Sequence, residues 1–325
     1  MEQVTVVIPN YNGIKFLEDC MDSLLAQKSD APEFRILLVD NGSTDGSLAL
    51  LERKYPQVQV IALSENTGFC HAVNVGIRQC ESPYVLLLNN DTKVRPGFIR
   101  HLYEAIVNRP EAFSVSAKML MWDDPELLDD AGDRYCCLGW AYARGKGKPA
   151  KQYDELCRVF AACGGAAIYR KAVMDEIGLF DEAHFAYLED LDIGYRAAIY
   201  GYHNYYEPSA EVIHYGSASS GSRYNAWKTA LASANSVYVI GKNMPLLQWL
   251  WNLPFFLVGF TVKFLFFCKK GYGKIYLKGL ADGFAKLHSP AGKAAKVGFK
   301  LSRLKNYLSI QLALYLNLFR LWKKS

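Results

Sequence analysis

Four short runs of β-branched and aliphatic residues dominate the first ninety positions, and each one ends in polar residues. The runs at 4–8, 34–39, 58–63 and 84–88 lead into Pro9-Asn10-Tyr11-Asn12, Asp40-Asn41-Gly42-Ser43, Glu65-Asn66 and Asn89-Asn90-Asp91. Between them apolar residues recur at helical spacing, as at Phe16, Leu17, Met21, Leu24 and Leu25. This periodicity predicts helices at 14–26, 47–55, 71–79 and 98–107, and a further strand at 113–117. Strands alternating with helices imply an α/β chain whose mostly parallel sheet is covered on both faces. Such sheets bind ligands beyond the carboxyl ends of their strands, so the four polar clusters are expected to converge on one edge.

The pattern dissolves into Asp, Gly, Lys and Pro over 121–155, which reads as a long loop with at most a short hairpin. Order returns at 158–169, a helix is expected over 188–200, and 205–214 reads as an edge strand broken at Pro208. From Pro245 the character changes. Residues 246–268 are almost wholly apolar, with Lys263 as their one charge, and are long enough to span a bilayer. Gln248, Asn252, Pro254 and Gly259 interrupt them, so an interfacial or re-entrant placement is at least as well supported. Residues 275–287 and 297–322 read as amphipathic.

Charge separates the same two regions. After Pro245 there are twelve Lys and two Arg against the single acid Asp282, a net +13 that leaves −8 for the rest. The reading is a body over 1–244 followed by a basic, aromatic-rich helical region over 245–325 that meets an anionic membrane surface. The alternative is a helical subdomain packed on the body or on a second copy in a homodimer. Nucleic acid is disfavoured, because the tail is too apolar between its lysines. No basic leader precedes the first strand, and eight cysteines without CxxC spacing read as reduced thiols in the cytosol.

Three constellations carry chemistry. Asp91 follows a buried strand in Asn89-Asn90-Asp91-Thr92, where a carboxylate can hold a divalent cation against diphosphate oxygens. Tyr187-Leu188-Glu189-Asp190-Leu191-Asp192 places three acids at a helix start, where the helix dipole alone would favour them; a base must also face the ligand edge. His214 ends Glu211-Val212-Ile213-His214, and an imidazole is an ordinary partner for a carboxylate-bound cation. A turn residue, a helix cap and a surface histidine are the plain alternatives. No GxGxxG, GxxxxGK[ST] or GxSxG is present, which disfavours dehydrogenases, P-loop enzymes and serine hydrolases.

Several ordered blocks resemble the family 2 glycosyltransferases of GT-A fold. They include Val6-Val7-Ile8-Pro9-Asn10-Tyr11-Asn12-Gly13, Leu38-Val39-Asp40-Asn41-Gly42-Ser43, Asn66-Thr67-Gly68-Phe69 and Leu86-Leu87-Leu88-Asn89-Asn90-Asp91-Thr92. Gly178-Leu179-Phe180-Asp181-Glu182 and Phe185-Ala186-Tyr187-Leu188-Glu189-Asp190-Leu191-Asp192 continue the match. The subgroup resembled is the rhamnosyltransferase-like one of bacterial surface polysaccharides. The resemblance implies an inverting, metal-dependent hexosyl transfer from a nucleoside-diphosphate sugar, with dTDP-rhamnose as first choice of donor. The acceptor would be a polyprenyl-linked saccharide at the cytoplasmic face of the inner membrane.

By position, the resemblance implies that Asp40 contacts the nucleobase, with Pro9 and Tyr11 around it. Asn66, Gly68, Asn74 and Asn90 would seat the ribose and diphosphate. Asp91 and His214 would hold Mg2+ or Mn2+, Asp190 would be the base, and Gly164, Gly165 and Glu189 would face the acceptor. Two departures stand out. Asn89 replaces a frequent acid, and Ala234-Asn235 replaces an Arg-Asn pair, with Arg223, Lys228 and Lys242 as substitutes for the missing Arg. A non-catalytic sugar-nucleotide binder on the same fold, a nucleotidyltransferase and an enzyme whose tail serves oligomerisation are the rival readings.

Overall fold

A computed structural model describes residues 3–216 and 224–322. Its strands are β1 (Val4–Asn10), β2 (Phe34–Asp40), β3 (Gln59–Ala62), β4 (Tyr84–Leu88), β5 (Thr92–Val94) and β6 (Ala112–Met121). β7 (Leu128–Asp130), β8 (Asp133–Cys136), β9 (Trp140–Ala143), β10 (Cys157–Val159), β11 (Ala166–Arg170) and β12 (His203–His214) follow. The helices of the body are α1 (Ile14–Leu25), α2 (Ser47–Lys54), α3 (Phe69–Arg78), α4 (Phe98–Val107), α5 (Lys171–Ile177), α6 (Glu189–Tyr200) and α7 (Ala226–Asn243). Beyond them come α8 (Leu246–Lys269), α9 (Gly273–His288), α10 (Pro290–Ala295) and α11 (Leu304–Trp322).

The main sheet runs β10-β12-β6-β11-β4-β1-β2-β3, with β5 added to β12 and β7 to β6. β3, β2, β1 and β4 are mutually parallel, so their polar ends do share one edge. Side chains alternate along each strand. Val4, Val6 and Ile8 join Leu86 and Leu88 in the core under α1 and α4. Val7, Val85 and Leu87 join the core under α3, α5 and α6.

The other half of the sheet brings a distant residue to the same edge. β11 is antiparallel to both β4 and β6, so β6 points the same way as β4. β12 is parallel to β6, and its last residue, His214, therefore arrives at the ligand edge. β5 then pairs antiparallel with β12, setting Thr92 opposite His214 and Asp91 beside it. β12 is thus not the edge strand expected from sequence. It has β6 on one side and β10 and β5 on the other. Pro208 falls in the register shift between Glu207 and Glu211, where no ladder donor is required. The stretch at 121–155 is also more ordered than expected, containing β7, the β8–β9 hairpin and a single 3-10 turn.

The region after Pro245 packs on the body through a common core. Tyr135, Phe160 and Tyr195 meet Ile240, Phe256 and Leu314 there. α9 lies against α7 so closely that a Cβ on Gly279 would sit 1.9 Å from the Ser233 hydroxyl, and one on Gly283 2.4 Å from the Ala234 carbonyl. α8 is inside out. Gln248, Asn252, Phe256 and Gly259 form its buried face, and Leu246, Leu247, Trp251, Leu257, Val258 and Leu265 are exposed. Gln311 of α11 exchanges hydrogen bonds with Gln248 and Asn252 at 2.8–3.1 Å. Of the residues that seemed to interrupt a membrane segment, Gln248, Asn252 and Gly259 are its contacts with the protein, the Gly259 carbonyl accepting from Trp140 Nε1 at 3.0 Å. Among the described residues α8 is the one helix long and apolar enough to cross a membrane.

A buried ionic cluster fixes α6 against α7. Asp192, wholly buried, accepts from Arg196 Nε at 3.0 Å, Lys242 Nζ at 2.8 Å and Asn243 Nδ2 at 2.8 Å. Lys242 also donates to Asp181 at 2.7 Å, and Arg196 to the carbonyls of Ile177, Gly178 and Leu179. Burial would raise the Asp192 pKa, but Lys242 and Arg196 outweigh it and hold the carboxyl well below the ordinary range. Lys242→Met leaves Asp181 without its cation and Asp192 with Arg196 alone, and is expected to destabilise the chain by about 3–5 kcal/mol, read as a lowered melting temperature. An unchanged melting temperature would show that the cluster is not what fixes α6.

Candidate active site

At the carboxyl ends of β1, β2, β4 and β12 lies a cleft of about 780 Å3. The 185–187 loop and Asn225, Trp227 and Lys228 at the start of α7 complete its wall. Pro9, Tyr11, Asn66, Gly68, Asn90, Asp91, Gly165, Glu189, Asp190 and His214 all line it.

Three residues expected in the cleft, Asp40, Asn74 and Gly164, do not line it. Asp40 is fully enclosed. Its Oδ1 accepts from Asn10 Nδ2 at 2.7 Å and its Oδ2 from the Ser43 amide at 2.9 Å. Asn90 Nδ2 donates to Asn10 Oδ1 at 2.6 Å, so Asp40 joins the ends of β1, β2 and β4 through Asn10. Asn74 is buried against the turn before Glu182, donating to Phe180 O at 2.8 Å and accepting from Phe180 N at 3.1 Å. It locks α3 to that turn. Beside the cleft, Asn41 takes over the organising role, bonding Asn66 Oδ1, Gly68 O and the Thr67 amide at 2.9–3.1 Å.

On one side of the cleft Asp91 Oδ1 stands 3.4 Å from His214 Nε2, and His214 Nδ1 stands 2.8 Å from Asp129 Oδ2. Lys146 pairs with the same Asp129 carboxylate. Burial works against a charged His214, but Asp129 and Asp91 outweigh it and hold its pKa up to about 9. Burial likewise opposes ionisation of Asp129, and His214 and Lys146 bring it down to about 2. The residues fit a divalent cation. Asp91 and His214 bring a carboxylate oxygen and an imidazole nitrogen within 3.4 Å of each other, donor types that would hold such an ion together. Asp129 fixes the ring's orientation and tautomer, as carboxylates behind metal-bound histidines do. Asp129 also brings a second carboxylate into the cluster where Asn89 does not. Elsewhere Asp181, His184 and Asp192 gather, but the Lys242 ammonium bonds two of them and serves as their cation.

Across the cleft Glu189 and Asp190 open α6. Glu189 is 7% exposed, while Asp190 stays partly open to the cleft. Glu189 Oε2 and Asp190 Oδ1 have no hydrogen-bond partner among the described residues. Burial pushes Glu189 up to about 7. Burial, then the Glu189 and Asp133 charges, raises Asp190 well above the carboxylate range. Carboxyls raised by burial and like charge at a cleft wall are candidates for proton transfer. Asp192, the third acid of the run, points the other way into its ion cluster. Gly164 is required by Asp190 itself, because a Cβ there would lie 2.4 Å from Asp190 Oδ1. Gly165, not Gly164, faces the cleft.

The backbone before this pair is strained. Phe185, Tyr187 and Leu188 all have φ between 61° and 69°, a left-handed conformation that side chains of this size rarely adopt. Asn235 Nδ2 holds them by bonding the carbonyls of His184, Ala186 and Tyr187 at 2.8–3.0 Å. Lys286 of α9 donates to Asn235 Oδ1 at 2.8 Å and to Ala183 O at 2.5 Å. Of the substitutes for the missing Arg, Lys228 lines the cleft, Lys242 is spent on Asp181 and Asp192, and Arg223 lies outside the described residues. Asp129, Lys146, Phe185, Tyr187 and Trp227 also line the cleft and were not expected there. Asp129 and Lys146 sit in the stretch without periodicity, whereas Trp227 beside Lys228 at a helix start was an available signal.

The sequence profile of Glycosyl transferase family 2 matches residues 5–178, over half of the chain. Asp190 and His214 lie beyond that match. The N-acetylglucosaminyl-diphospho-decaprenol L-rhamnosyltransferase of Mycobacterium tuberculosis is 29% identical over 226 residues, 62% of this chain and 73% of that protein. Two solved structures share the fold. GalNAc-T7 with UDP, GalNAc and Mn2+ superposes with a TM-score of 0.59 and 18% identity, covering 74% of this chain and 48% of that one. A mannosyltransferase from Pyrobaculum calidifontis, in complex with GDP-Man and Mn2+, gives 0.52 and 17%, covering 99% and 88%. Sheet order, cleft and profile agree: this GT-A chain belongs to glycosyl transferase family 2 and is a glycosyltransferase.

Proposed function

We propose that the protein transfers a hexosyl group, with inversion, from a nucleoside-diphosphate sugar to a hydroxyl of a lipid-linked saccharide during synthesis of a bacterial surface polysaccharide. The observation that carries this reading is the cleft itself. It sets the Asp91–His214 pair on one wall and the Glu189–Asp190 pair on another. Asp190 takes the acceptor hydroxyl proton as the new C1–O bond forms and the bond from C1 to the diphosphate oxygen breaks. The nucleoside diphosphate leaves with the bonding pair. Asp91 and His214 would hold Mg2+ or Mn2+, which would supply Lewis acidity against the charge on the leaving diphosphate. Glu189 faces the acceptor and sets the charge beside Asp190. Tyr11, Pro9, Asn66, Gly68 and Asn90 seat the donor.

dTDP-rhamnose is the first candidate donor, by likeness to the mycobacterial rhamnosyltransferase. That relative's name includes a decaprenyl diphosphate, and a lipid-linked acceptor suits this chain for a reason of its own. The outward face of α8 is apolar and the region after Pro245 is strongly basic, which fits the cytoplasmic surface of the inner membrane.

Three outcomes test the reading. Asp190→Asn is expected to lower kcat by about a hundredfold or more while donor affinity, measured by calorimetry, stays near wild type; a variant keeping more than a few per cent of the rate removes Asp190 as the base. Because Glu189 titrates at about 7 and Asp190 above its ordinary range, kcat/KM should rise with pH through neutrality as the base loses its proton. Glu189→Gln removes the like charge that raises Asp190, so its acid limb should move to lower pH. An unmoved limb would detach Glu189 from the base. Asp129→Asn should weaken Mn2+ binding by about ten- to a hundredfold in a direct titration, and unchanged affinity would show that His214 needs no such support.

A further inference from the structure

A second polar cavity, of about 390 Å3, lies outside the cleft. It is bounded by the α5–α6 turn, the end of α7 and the 295–303 segment. Five cations line it, Arg196, Lys242, Lys296, Lys300 and Arg303, against the single acid Asp181. Arg196 and Lys242 form the inner wall and are neutralised by Asp192 and Asp181. Lys296, Lys300 and Arg303 form the outer wall, and none has a carboxylate partner among the described residues. The Arg303 guanidinium carbon lies 3.5 Å from the centre of the Tyr200 ring, which orders the side chain without neutralising it. The Val297 amide donates to Lys242 O at 3.0 Å, so the basic segment is pinned to α7. Three uncompensated charges around a cavity call for an anion.

The next residues say which anion. Leu301, 74% exposed, is followed on α11 by Leu304, Leu308, Leu312 and Leu316 at four-residue steps and then by Phe319, all exposed. The opposite face of the helix gives Tyr307, Ile310 and Leu314 to the core. A row of exposed leucines beginning at the mouth of a basic pocket is the pattern of a helix lying in a lipid interface. A free phosphate would leave that row in water.

We propose that this pocket takes the phosphate headgroup of an anionic membrane lipid, with the leucine row of α11 among the acyl chains. The proposal rests on the membrane placement given above but not on glycosyl transfer, so its test needs no turnover. Arg196 and Lys242 also hold Asp192, two residues beyond Asp190, and a headgroup at the inner wall therefore bears on the helix that carries the base.

The test is sedimentation of the full chain with phosphatidylcholine vesicles, with and without phosphatidylglycerol. Wild type should prefer the anionic vesicles. Lys296→Gln combined with Lys300→Gln, both at exposed positions, should weaken that binding about tenfold and leave neutral vesicles unaffected. Leu308→Ser combined with Leu312→Ser should weaken binding to both, with melting temperatures near wild type in each case. Inorganic phosphate at matched ionic strength should not displace the protein. The proposal is overturned if the lysine variant sediments with anionic vesicles as wild type does, or if wild type shows no preference. It is equally overturned if phosphate alone displaces the protein, which would make the pocket a free-anion site. Loss of transfer by Asp190→Asn without loss of sedimentation separates this proposal from the enzymatic one.

Discussion

One amide group holds the catalytic edge in place. Three left-handed residues just before Glu189 cost on the order of 1–3 kcal/mol each, and this conformation lasts only where the surroundings impose it. Asn235 Nδ2 does so through three carbonyls, and Lys286 holds the other end of the same side chain. The tight loop turns α6 so that its first two acids meet the cleft while Asp192 meets Lys242. Without that turn the three acids would differ little, since all begin a helix whose dipole favours them equally.

The three acids show how far surroundings decide chemistry. Asp192 has three donors and is held ionised. Glu189 is buried and Asp190 partly so, each with one oxygen left without a partner among the described residues, and both are pushed toward the protonated form. His214 lies between two carboxylates and is pushed toward the charged form. Each shift follows from a count of partners around a buried group, and the opposing shifts stand across one cleft.

Much of this was legible in the sequence. The strand-end clusters announced the ligand edge, because parallel strands in a doubly covered sheet can be read from alternation alone. The resemblance pointed to Asp190 and His214, which composition could not single out and which the structure brings to the cleft. Where the structure differs from the expectation, the difference has a physical cause. Asp40 and Asn74 are polar residues at expected positions whose hydrogen bonds are used up inside the protein. Pro208 looked like an edge marker because sequence does not show a register shift. Asp129 escaped because β7 is only three residues long, too short for a period. Gln248 and Asn252 looked like defects in an apolar helix because hydropathy does not say which side of a helix faces water, protein or lipid.

That last point reaches beyond α8. Gln311 on α11 completes hydrogen bonds with Gln248 and Asn252, Tyr195 of the body donates to Gln248 at 3.1 Å, and Lys286 on α9 completes the bonds of Asn235. The polar groups of the helical region are thus shared with the sheet domain. Replacing the tail with an unrelated one would strand donors and acceptors on both sides of the join, so tail and body behave as one unit rather than as separable modules.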